Sequence, residues 1–122
     1  MLELLPETSG NIVGIRATGI LTVIDEDGIT PTLDDIFESL SEKQRMRTFV
    51  DYEGLEGFEP GVKTAGLSFE LRHRALVERI AFVCTADLQD EVDRMADIFK
   101  MAQVKRFDPA SRDDAWNWLK SE

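Results

Sequence analysis

Glu78-Arg79-Ile80-Ala81-Phe82-Val83-Cys84 is the stretch on which the fold turns. Side chains alternate across a strand, so Ile80, Phe82 and Cys84 share one face, and Arg79, Ala81 and Val83 the other. On both sides the hydrophobic period changes to that of a helix. Phe58, Val62, Ala65, Phe69 and Leu76 fall on one helical face, which predicts a helix over about residues 60–76. Leu88, Val92, Ala96 and Phe99 make the core stripe of a second helix over residues 88–102. Strand alternating with helix implies parallel βαβ units rather than a hairpin fold. Further out, Arg47-Thr48-Phe49-Val50-Asp51-Tyr52 reads as the preceding strand and residues 104–107 as a short following one. Residues 111–120 then read as a terminal helix anchored by Trp116 and Leu119.

The beginning of the chain follows a different pattern. Leu2 to Leu5 is a short apolar run, and residues 12–18 alternate Val13, Ile15 and Ala17 against Gly14, Arg16 and Thr18. Pro6-Glu7-Thr8-Ser9-Gly10-Asn11 between them is loop chemistry, so two antiparallel strands are expected. After Gly19-Ile20-Leu21-Thr22 the acidic stretch Asp25-Glu26-Asp27-Gly28 reads as an interruption. Thr30-Pro31 then reads as the start of a helix carrying Leu33, Ile36, Phe37 and Leu40, with Pro31 in the first turn, where its missing N–H costs little.

The chain has 122 residues, 43% of them hydrophobic and 31% charged, which suits a single folded domain over residues 1–122. Lys and Arg number 14 against 24 Asp and Glu, a net charge of −10. Phosphate-coated partners are repelled by such a surface, so nucleic acid is not expected as a ligand. Cys84 is the only cysteine; it rules out an intrachain disulfide or a cysteine-rich zinc site and points to a reducing, cytoplasmic location. Met1-Leu2-Glu3-Leu4-Leu5-Pro6-Glu7 has no basic n-region. No stretch approaches the roughly 20 apolar residues of a spanning helix, so neither a signal peptide nor a transmembrane segment is expected.

Catalytic chemistry is sparse. His73 is the single histidine, set between Arg72 and Arg74, and reads as structural or solvated. The run Asp51-Tyr52-Glu53-Gly54-Leu55-Glu56-Gly57-Phe58-Glu59 holds four carboxylates beyond the end of a strand, where open α/β sheets usually bind ligands. Its spacing does not match an EF-hand, and it reads as a solvated acidic loop, with weak divalent-metal binding as the alternative. Cys84 reads as a core thiol rather than a nucleophile. No phosphate loop, dinucleotide fingerprint, nucleophile elbow or zinc-protease helix is present, and no catalytic residue, metal or cofactor is expected.

Two helices carry more apolar surface than one core requires. Leu67 and Leu71 fall off the first stripe; Ile98 and Met101 lie beside the second, with Met95 bordering both. A helix that is apolar on two sides is packed on two sides or presents one to a ligand, partner or membrane.

Several phrases together carry a family resemblance. Leu4-Leu5-Pro6-Glu7-Thr8-Ser9-Gly10-Asn11-Ile12-Val13-Gly14, Ala17-Thr18-Gly19-Ile20-Leu21-Thr22, and Val50-Asp51-Tyr52-Glu53 followed by Gly57-Phe58 resemble the SpoIIAA-like family of small bacterial proteins. So do Glu78-Arg79-Ile80-Ala81-Phe82-Val83, Arg106-Phe107-Asp108-Pro109 and Ala115-Trp116-Asn117-Trp118-Leu119. The resemblance implies an α/β fold of the STAS type: a mixed, mostly parallel sheet of about five strands, an antiparallel first strand, and about four helices mainly on one face. It implies no enzyme activity. Sporulation anti-anti-sigma factors of this fold are switched by phosphorylation of a serine at the start of the helix after the third strand. Residues 51–60 here contain no Ser or Thr, so that phosphoserine switch does not carry over.

For members without the serine, the resemblance suggests binding of hydrophobic ligands or contact with membranes. The expected function is therefore a non-enzymatic module holding a hydrophobic or lipid-like small molecule between the helices after strands 3 and 4. Leu55, Phe58, Val62, Leu67 and Leu71, with Met95, Ile98 and Met101, would line it. The acidic charge gives no help on anionic lipid, so membrane contact is expected to be at most transient. The alternative is a homodimeric protein-interaction module using the same residues, without a small ligand.

Overall fold

The computed structural model describes residues 1–62 and 71–122. Its centre is a five-stranded mixed sheet in sequential order. Strands β1 (Leu2–Leu4) and β2 (Ile12–Leu21) form the antiparallel hairpin, with Leu2 opposite Ala17 and Leu4 opposite Ile15. The strands β3 (Met46–Phe58), β4 (Val77–Val83) and β5 (Gln103–Phe107) then add in parallel to β2 and to one another. Helix α1 (Val23–Ser39) connects β2 to β3, α2 (Gln89–Ile98) connects β4 to β5, and α3 (Arg112–Lys120) follows β5. Val62 and residues 71–73 are helical, near the two ends of the helix expected over residues 60–76, and Arg74–Leu76 is a 3-10 turn; the middle of that segment lies outside the described residues.

Helix α1 begins well before Thr30. The Thr22 hydroxyl accepts from the Asp25 N–H at 3.1 Å, and the Asp25 carboxylate accepts from the Thr22 N–H at 3.0 Å, a reciprocal capping box. Asp25 and Glu26 therefore occupy the first turn, where negative charge meets the positive end of the helix dipole. The backbone bond from Thr22 leads the contacts that hold Asp25 below the usual carboxylate pKa. The acidic stretch read as an interruption is thus helical, and Pro31 lies inside the helix rather than in its first turn.

The second departure is β3. Glu53 to Phe58, beyond the expected strand end, continues the strand, pairing with β2 up to Leu21 opposite Phe58. Strand β4 stops at Val83, opposite Asp51, so the rest of β3 pairs with β2 alone. Gly54 faces Thr18 where the register shifts, and a Cβ at Gly54 would come within 3.0 Å of the Thr18 methyl carbon. The glycine permits close approach of two strands rather than a turn. Helix α2 is also shorter than the apolar pattern, because β5 begins at Gln103, opposite Arg79.

Both faces of the sheet are covered. Val13, Val50, Ile80, Phe82 and Cys84 pack beneath Leu33 of α1 and Val92 of α2. Phe49, Ala81 and Val83 pack on the other face against Leu5 and against Ala115, Trp116 and Leu119 of α3. The apolar run of β4 is a strand buried on both sides. Arginines at the starts of β3 and β4 close the end of α3: Arg47 donates to the Leu119 carbonyl and Arg79 to that of Trp118, each at 2.7 Å. The last carbonyls of a helix lack their i+4 donors, Trp118 accepting instead from the Ser121 N–H at 3.2 Å, and a cation suits the negative end of the dipole.

Candidate functional site

An apolar cavity of about 180 Å³ lies between α1 and the sheet. Its floor follows from strand alternation: Met46, Thr48, Val50 and Tyr52, every second residue of β3, point to the same side, beside Ile80 and Phe82 of β4. Ile29, Leu33 and Phe37 of α1 supply the opposite wall at helical spacing, and Met95 and Phe99 close it from the α2 side. Polar Glu26 and Thr30 also face this space from α1, where larger apolar side chains would otherwise fill it. Leu33 is the one buried residue of that helix.

The polar side chains around the cavity are anchored differently. Thr30 Oγ1 donates to the Glu26 carbonyl at 2.8 Å. His73 stacks on Phe37 with ring centroids 4.3 Å apart, and its Nε2 lies 3.2 Å from Asp34 Oδ1. These contacts join the helical turn at residues 71–73 to α1. Tyr52 packs its ring against those of Phe58 and Phe82.

The residues expected to line a ligand site fall into separate groups. Leu55, Phe58 and Val62 cluster with Ala17 and Leu21. Met95 lines the cavity, while Ile98 packs on the main core. Leu71 is exposed, and Met101 is 77% exposed; Leu67 lies outside the described residues. Sequence reasoning misses the α1 wall because Leu33 and Phe37 read only as the apolar stripe of a helix, while Ile29 falls ahead of the expected helix start. The capping pair Thr22 and Asp25 is the signal that would have recovered it.

Other reactive groups are sequestered. Cys84 is fully buried, and burial pushes its thiol pKa up; such a thiol is a weak nucleophile. Asp51 is buried between Arg16 and Arg112. No helix among the described residues is long and apolar enough to cross a membrane.

The SpoIIAA-like family profile matches residues 12–120, nearly the whole of this architecture. The chain belongs to the SpoIIAA-like family. An uncharacterised protein with a SpoIIAA-like fold from Shewanella loihica is similar to it at a TM-score of 0.79 and 24% identity, over 97% of this chain and 93% of the other. The anti-sigma factor antagonist SpoIIAA in its unphosphorylated form is similar at a TM-score of 0.65 and 14% identity, over 100% of both chains. At these identities the likeness establishes the fold. No curated protein sequence matches this SpoIIAA-like chain.

Proposed function

We propose that this SpoIIAA-like chain is a non-enzymatic binding module that holds a hydrophobic small molecule between α1 and the sheet. The observation that carries this reading is the cavity of about 180 Å³ with its mainly apolar lining. Native interiors are packed with few voids larger than a water molecule, and small-molecule sites are mostly apolar with a few polar groups. The buried thiol of Cys84 and the ion-paired carboxylate of Asp51 support a binding rather than a catalytic role.

Ligand-observed NMR with toluene as the apolar probe tests the proposal. Wild-type protein should show saturation transfer to the probe. Ile29→Trp, which places a larger side chain in the cavity wall, should weaken binding at least tenfold while circular dichroism stays unchanged. Leu33→Phe gives a second, smaller filling change. No transfer to the probe in wild type, together with no adduct in native mass spectrometry, would overturn the reading.

A further inference from the structure

The size of the cavity and one hydroxyl on its floor narrow the chemistry of its occupant. About 180 Å³ is little more than the roughly 150 Å³ of an apolar cavity known to hold benzene. A single ring or a short branched chain fills such a volume. Phe37, Phe82 and Phe99 surround the space, and aromatic walls suit a flat ring packed by its edge or face.

Thr48 supplies the polar feature. It lies in β3, the middle strand, between Val13 of β2 and Ile80 of β4. Its residue exposure is 9%, it lines the cavity, and among the described residues its hydroxyl has no hydrogen-bond partner. A hydroxyl on the cavity wall with no protein partner is open to a ligand, and a ligand group that completes it is favoured over one that does not. Glu26 on the opposite wall and the net charge of −10 disfavour an anionic ligand.

Building on the cavity reading above, we infer that the occupant is an uncharged molecule of about one ring carrying a single hydrogen-bonding group, which Thr48 engages. Phenol and toluene are matched probes, because they differ by a hydroxyl in place of a methyl. Wild type should bind phenol more tightly than toluene in NMR titrations. Thr48→Val should weaken phenol binding about fivefold to tenfold and leave toluene binding unchanged, while Thr48→Ser should keep the preference for phenol. Equal binding of the two probes, unaffected by Thr48→Val, would overturn the role of Thr48 and leave the cavity reading standing. Tighter binding of dodecanoate than of phenol at this cavity would overturn the size and charge class. Failure of wild type to bind either aromatic probe would overturn both readings.

Discussion

Replacing Trp116 with alanine should lower the unfolding free energy by about 3–5 kcal/mol, the cost of removing a large aromatic side chain from a core. The indole is 7% exposed and lies flat on Phe49, with centroids 4.0 Å apart and planes 6° from parallel. Beneath it is Gly14, where an added Cβ would stand 3.0 Å from the indole Cη2 and 2.9 Å from Leu5 Cβ. The glycine thus makes room for the ring that fixes α3 to the sheet, and no neighbour stands ready to refill the space. Urea unfolding checks this expectation. Trp118, only half-buried and flanked by Lys105 at 4.8 Å, is the control; its alanine variant should lose much less. Equal losses at the two positions would contradict the packing account.

A comparable loss, about 3 kcal/mol, is expected of Asp51→Asn at neutral pH, because breaking a buried ion pair leaves charge uncompensated. Asp51 Oδ2 accepts from Arg112 at 2.7 Å and from Arg16 at 3.2 Å, and Oδ1 accepts from the Glu53 N–H at 3.0 Å. The figure sits at the low end for buried pairs because both arginines are partly exposed and screened. Burial pushes the Asp51 carboxyl up, but the Glu53 N–H and the two guanidiniums outweigh it and hold the pKa below the ordinary value. A depressed folded-state pKa means that the stabilisation is present above the unfolded value, about 3.9, and is lost as pH falls through the folded one. The gap between wild type and Asp51→Asn should therefore close below about pH 4. Stability measured from pH 7 to pH 2 tests the sign: a gap that widens in acid would contradict it.

Periodicity made most of the sheet legible in the sequence. The hairpin, β4, β5 and α3 were all readable because their apolar residues alternate or recur without interruption. The two departures share a cause. Asp25-Glu26-Asp27-Gly28 and Glu53-Gly54-Leu55-Glu56-Gly57 have the composition of loops, but the first is fixed by the Thr22 and Asp25 cap and the second by pairing with β2. Composition reports solvent exposure, and an exposed helix turn or strand end is as polar as a loop. The cavity was less legible still. Its walls come from α1, β3 and β4, and nothing in a linear pattern distinguishes apolar residues that touch across the core from those that leave a space between them.

Whether a small molecule occupies the space between α1 and the sheet is decided by methyl-resolved NMR of the labelled protein. On addition of phenol, shifts should concentrate at Ile29, Leu33, Val50, Ile80 and Met95, the methyl-bearing walls of the cavity. Shifts concentrated instead at Leu55, Val62, Leu71 and Met101, or an unchanged spectrum at saturating phenol, would contradict that occupancy.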